Sequence, residues 1–301
     1  MDWPAPNGST VAGSLCLNLL KKRASSIKKQ YTKISACHLD AMSSRSETLI
    51  FLHIPKAGGT TLYKILERHY ARAQTLTFDG RDGQTAWFGT LPAARRGRYR
   101  LIKGHLYFGL HRLIAGASTY ITFLRNPVER ILSFYYYARS HPDHYLYPVL
   151  ATQGLDLKTL LAREVTLELF NEQTRLLAGD EWEDPQRPVT RDALARAQAN
   201  LRTHFRVVGL TEEFDASLLL LHHALGWRLP IYTKENVTQN KPDGTSLDAE
   251  TRTLIKDANR FDLELYEYAR ELFEEQRRAA GNSFAAELNH FQSLNQAHGH
   301  A

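Results

Sequence analysis

Leu49-Ile-Phe-Leu-His53-Ile-Pro55-Lys56-Ala57-Gly58-Gly59-Thr60-Thr61-Leu62 decides the fold. A run of apolar, β-prone residues ends in proline, lysine, two glycines and two threonines. A second apolar set then begins at helical spacing, with Leu62, Ile65, Leu66 and Tyr70. This predicts a buried strand, a tight Gly-rich turn and a helix starting near Thr60. The glycines let a ligand approach the main chain closely, and the first N–H groups of a helix lack internal partners. Such a turn is a phosphate cradle. Lys56 adds a full charge, and Thr60 and Thr61 add hydroxyls. A purely structural turn has no use for the lysine or the paired threonines. The loop departs from the Walker A pattern, which would need glycine at His53 and lysine at Gly59. Ordinary nucleoside triphosphate hydrolysis is thereby disfavoured.

Ser118-Thr-Tyr-Ile-Thr-Phe-Leu-Arg125-Asn126-Pro127-Val128-Glu129-Arg130 is the second strong signal. Tyr120 to Leu124 reads as another buried strand. Asn126 suits a helix N-cap, Pro127 the first helical position, and Glu129 completes a capping box. Val128, Ile131, Leu132 and Tyr135 follow at helical spacing. Arg125 is left at the carboxyl end of the strand, with Ser133 two turns into the helix. The planar guanidinium fork matches phosphate oxygens. A ligand with two separate phosphates would account for both motifs. Between them, Leu101 and Ile102 predict a short strand ended by Gly104. In an open parallel sheet ligands sit beyond the carboxyl ends of strands, so His105 falls on the same edge as the Gly58-Gly59 turn. Histidine has the side chain suited to proton transfer near neutral pH, and a hydrogen-bonded structural role is the competing account.

These residues carry a resemblance. His53 to Thr61 resembles the 5′-phosphosulfate loop of sulfotransferases, and Phe123 to Ser133 resembles their 3′-phosphate segment. The group resembled contains the heparan sulfate 2-O- and 6-O-sulfotransferases and their bacterial relatives, over about residues 48 to 275. Ala57, Asn126 and Lys103 depart from the commoner residues of that pattern. The resemblance implies a P-loop-like parallel β-sheet flanked by helices on both faces, the sulfotransferase fold. The implied co-substrate is 3′-phosphoadenosine 5′-phosphosulfate, with no metal, and a sulfuryl group passes to a hydroxyl, on a carbohydrate. By the same resemblance His105 is the general base and Lys56 offsets charge on the leaving oxygen. Ala57, Gly58, Gly59, Thr60 and Thr61 hold the 5′-phosphate, and Arg125 and Ser133 the 3′-phosphate. A P-loop-like small-molecule kinase, and a non-catalytic nucleotide- or acidic-glycan-binding protein using Arg95 to Arg100, are the alternatives.

The remaining features set bounds. The chain has 301 residues, 43% of them hydrophobic, enough for a substantial core. The net charge of +6 favours an anionic ligand, admits an acidic glycan acceptor and falls short of a nucleic-acid signature. Both cysteines, Cys16 and Cys37, precede the first convincing strand, so no disulfide framework is expected. Residues 1–46 read as a flexible extension, 47–281 as the sulfotransferase domain and 282–301 as a frayed tail. No membrane span is read, and the expectation is a cytoplasmic, bacterial-type soluble protein. Residues 73–99 read as a long connection. Asn171, Gln173 and Arg175 are candidates for acceptor contacts or a plain helix surface, and Asn236 and Thr238 for a loop over the nucleotide.

Overall fold

A five-stranded, all-parallel sheet in the order β2-β3-β1-β4-β5 organises the protein. This computed structural model describes residues 47–80, 83–179, 184, 187–232 and 247–299. The readings made for residues 1–46 and for Asn236 and Thr238 lie outside them. The strands are β1 (Thr48–Leu52), β2 (Thr75–Asp79), β3 (Leu101–His105), β4 (Ser118–Leu124) and β5 (Phe205–Leu210). All of β1 and nearly all of β4 are buried, residue after residue. Successive strand residues point to opposite faces, so both faces of the sheet are covered. That explains the unbroken apolar run in the sequence.

After β1 the chain runs through helix α1 (Gly59–His69) to the sheet edge at β2, then returns to β3 beside β1. It next crosses to β4 on the other side of β1. The strand order therefore reverses around β1, the place where open α/β sheets bind ligands. The 73–99 connection proves partly ordered: it contains the edge strand β2 and two short helices, α2 (Gln84–Thr90) and α3 (Ala93–Arg96). Gly104 lies inside β3 rather than ending it. A Cβ there would lie 1.9 Å from the Phe78 carbonyl oxygen of β2, and φ is +140°. Only glycine lets the two strands pair at that register.

Helix α4 (Pro127–Ser140) follows β4. Its Val128, Ile131, Leu132 and Tyr135 pack with leucines from α5 (Leu157–Ala162) and Ile255 of α9 (Ala249–Ala258), a second core separate from the one around the sheet. Next come α6 (Glu172–Ala178) and α7 (Arg191–His204) before β5, then α8 (Phe214–Leu225), α10 (Arg260–Ala279) and α11 (Phe284–Gly299). The expected frayed tail is thus a helix, because Phe284 and Phe291 are buried, with Leu288 packed beside the same core. From Glu47 onward the chain forms one compact unit.

Candidate active site

The phosphate-type loop leaves β1 level with the end of β3, where the His53 N–H donates to the Gly104 carbonyl at 2.9 Å. Lys56 and Gly58 both take left-handed backbone, with φ of 68° and 79°. Helix α1 then begins at Gly59, its unpaired first amides at the cleft. Gly59 is fixed by its neighbour: a Cβ would lie 1.8 Å from His53 Nε2. A Cβ on Gly58 would meet the Phe214 ring at 3.0 Å, on top of the positive φ.

His53 lies beneath this loop, buried, with its Nδ1 3.1 Å from the Tyr63 hydroxyl. Burial holds its pKa well below the ordinary histidine value, with His105, Lys56 and Lys103 adding to the effect. It is a neutral ring. The imidazole of His105, at the end of β3, stacks on it with ring centres 4.6 Å apart. His105 Nδ1 is 3.3 Å from the His53 carbonyl oxygen. A carbonyl can only accept, so this bond puts the hydrogen on Nδ1 and leaves Nε2 with the lone pair. Burial lowers the His105 pKa, while the bond to His53 and the charges of Glu168 and Asp79 act the other way.

The second motif meets the first through Arg125. Its Nη1 donates to the Lys56 carbonyl at 3.0 Å, and its main chain exchanges two hydrogen bonds with the Gln173 amide, at 3.0 and 2.9 Å. Asn126 caps α4 as expected, accepting from Val128 and Glu129 at 3.0 and 3.4 Å. The Asn126 N–H is taken by Glu212 rather than by Glu129, so the reciprocal arm of the capping box comes from a distant residue. Ser133 is buried on the inner side of α4 and lines the cleft. Lys56 Nζ lies 3.6 Å from the centre of the Tyr137 ring.

These side chains share one cleft of about 1440 Å³. Lys56, Gly58, Gly59, Thr60, Thr61, His105, Arg125 and Ser133 all line it. Ala57 does not: its methyl packs in the core, and its N–H donates to the Ile54 carbonyl at 3.2 Å. Asn171, Gln173 and Arg175 do not line the cleft, and their polar groups are turned to internal hydrogen bonds. Asn171 accepts from the Phe261 and Asp262 amides, Gln173 clamps Arg125, and Arg175 is buried and donates to the Arg187 carbonyl.

Sequence reasoning missed Tyr137, His144, Tyr145, Glu168 and Glu172, which also line the cleft. Tyr145 donates to the Glu168 carboxylate. Glu172, in the first turn of α6, is buried and its carboxyl is pushed up to about 7. Desolvation is the main cause; the Arg130 charge opposes it and Glu168 adds to it. Among the described residues, no three His, Cys, Asp or Glu side chains gather to hold a metal ion.

A family model for galactose-3-O-sulfotransferases matches residues 23–297. The chain belongs to the galactose-3-O-sulfotransferase family. The sulfotransferase resemblance carried by the two motifs is borne out, and the family matched is the galactose-3-O one. Galactose-3-O-sulfotransferase 2 of Sus scrofa is 26% identical over 249 residues, which are 75% of this chain and 60% of the pig protein. The chain thus spans less than two thirds of the length of that relative. Among solved structures, mouse sulfotransferase SULT7A1 complexed with PAP is similar at 16% identity and a TM-score of 0.39, over 77% of this chain and 92% of the mouse one. In this galactose-3-O-sulfotransferase family member, no helix among the described residues is long and apolar enough to cross a membrane. A pig relative gives the bacterial-type expectation no support.

Proposed function

We propose that this protein binds 3′-phosphoadenosine 5′-phosphosulfate and transfers its sulfuryl group to a hydroxyl of a galactose-type carbohydrate, with His105 as general base. One observation carries the reading: two anion-suited constellations, Lys56 with Gly58 to Thr61 and Arg125 with Ser133, open into the same cleft as His105. The residues fit a ligand with two phosphates. The first amides of the helix at Gly59 line the cleft, and Arg125 Nε is buried without a hydrogen-bond partner among the described residues.

When bound, the donor supplies a sulfuryl group whose bond to the 5′-phosphate oxygen breaks as the acceptor oxygen bonds to sulfur. The amides from Gly58 to Thr61 and the two threonine hydroxyls hold the 5′ side, helped by the helix dipole. Arg125 and Ser133 hold the 3′-phosphate and so fix the orientation of the ligand. Lys56 neutralises charge growing on the leaving oxygen. His105 Nε2 takes the proton of the acceptor hydroxyl, the tautomer being set by the His53 carbonyl.

An acidic acceptor fits poorly, since Glu168 and Glu172 line the same cleft. Two arginines of the 95–100 cluster are turned inward: Arg96 donates to the Leu113, Gly89 and Leu91 carbonyls, and Arg100 to that of Glu47. Calorimetry with 3′-phosphoadenosine 5′-phosphate, against ATP, on wild type, Lys56→Ala and Arg125→Ala tests the donor site. Binding weakened in both variants, with ATP weak throughout, supports the reading. Absent binding, or equal binding of ATP, overturns it. Sulfate transfer to lactose, lost in His105→Ala, tests the acceptor side.

A further inference from the structure

Tyr137 is sandwiched. Lys56 Nζ lies 3.6 Å from its ring centre, and the His141 imidazole stacks on the same ring at 3.8 Å between centres. Two groups this close to one ring centre cannot share a face, so ammonium and imidazole occupy opposite faces. The two sides differ in permanence. His141 is tied to the backbone, with Nδ1 2.8 Å from the Tyr137 carbonyl oxygen. The ammonium ends a flexible four-carbon stem.

Tyr137 follows Ser133 by one helical turn on the same side of α4, and both line the cleft. The wall continues from Tyr137 to His144, whose ring meets it edge-on at 5.8 Å, and to Tyr145 beside the Glu168 carboxylate. An aromatic face next to a carboxylate suits a neutral sugar. The C–H bonds on one side of a pyranose carry partial positive charge and meet the negative face of the ring, while a carboxylate accepts from hydroxyls. Lys56 now fills that ring face by the same electrostatics.

We infer that the Tyr137 face now covered by Lys56 is the acceptor platform, and that donor binding uncovers it by drawing Lys56 onto the phosphosulfate. The inference rests on the function proposed above. A phosphate at the Gly58–Thr61 amides offers the ammonium a full negative charge, a stronger attraction than the ring quadrupole, so Lys56 leaves the ring when that ligand arrives. The acceptor then stacks where the ammonium stood, and the donor binds first.

Two measurements test this without turnover. In protein labelled with 13Cε-lysine, the Lys56 ε-methylene protons, assigned with Lys56→Arg, are expected upfield through the ring current of Tyr137. They move to the ordinary lysine position on adding 3′-phosphoadenosine 5′-phosphate, and lie there without it in Tyr137→Leu. Lactose binding, read by saturation-transfer NMR, is expected to be at least about tenfold tighter in the nucleotide-loaded wild type than in the free protein. Lys56→Ala binds lactose without nucleotide, Tyr137→Phe behaves as wild type, and Tyr137→Leu binds nucleotide but not lactose. An unshifted Lys56 signal in the free protein, lactose affinity indifferent to nucleotide, normal lactose binding by Tyr137→Leu, or no lactose binding at all overturns the inference. Failure of the nucleotide itself to bind sinks the proposed function instead, so the two failures are distinct.

Discussion

Arg125 Nη1 donates to the Lys56 main-chain carbonyl at 3.0 Å, joining residues 69 apart in sequence. The bond ties the second motif to the crest of the first, at a residue whose backbone is left-handed. Gln173 pins the Arg125 main chain from the other side. Burial lowers the Arg125 pKa, yet the guanidinium stays cationic. The two motifs are therefore set at a fixed spacing, as the proposed pair of phosphate subsites requires.

Arg125→Lys keeps the charge and loses the fork. Its affinity for 3′-phosphoadenosine 5′-phosphate is expected to fall roughly tenfold or more. Gln173→Leu keeps the guanidinium but frees its backbone, and a smaller loss of about three- to tenfold is expected. Calorimetry at constant salt separates them. An unchanged affinity in Gln173→Leu would deny the amide pair any positioning role.

Gly59→Ala drives a methyl into His53 Nε2, and His53 is held in place by the His105 ring stacked on it and by the Tyr63 hydroxyl at its Nδ1. The expected cost is about 1–3 kcal/mol in urea unfolding, typical of overpacking, with weaker nucleotide binding besides. His53→Ala in the same chain makes room for the methyl and should recover part of the stability. A double variant no more stable than the sum of its parts would refute this packing account.

The sheet and the donor half of the cleft were legible because their signals are local. An apolar run, a glycine pair and an N-cap asparagine each fix their own few residues. β2 was hidden, since Thr75-Leu-Thr-Phe-Asp79 is a short edge strand with only Phe78 buried, and its pairing depends on the absent Cβ of Gly104. The α11 helix had a readable sign in Phe284, Leu288 and Phe291, which recur at helical spacing within a polar stretch. The cleft lining from Tyr137 to Glu172 had none. Asp262 accepts from the Gln173 and Thr174 amides across nearly ninety residues and so places Glu172, and no local pattern announces that closure. The Lys56–Tyr137 contact is equally long in range.

The proposed proton transfer to His105 needs the imidazole neutral. Because burial lowers its pKa, it stays neutral to a more acidic pH than an exposed histidine. The acidic limb of kcat/KM is accordingly expected to bend below pH 6.5, the ordinary histidine value. His105→Ala should cut kcat by about 10²–10⁴-fold while nucleotide affinity stays within roughly twofold. An inflection above the ordinary value, or an equal loss of nucleotide binding, would place His105 in structure and not in proton transfer.

Glu172 makes stability depend on pH with a definite sign. Its folded carboxyl titrates at about 7, above the 4.5 of an unperturbed glutamate. Between those values the folded protein holds the proton and the unfolded chain releases it, so this contribution is complete below 4.5 and is lost as pH rises through 7. Asp262, also raised by burial, acts in the same direction. Glu172→Gln removes the charge that folding must desolvate. Relative to wild type its thermal midpoint should rise by roughly 5 °C at pH 8, for a gain on the order of 2–3 kcal/mol, and change little at pH 5. Taking the difference between variant and wild type cancels the histidines, whose depressed values tilt stability the opposite way. Equal midpoint shifts at both pH values would mean that Glu172 is ionised throughout, held so by Arg130, and that its proton has no part in the stability of the fold.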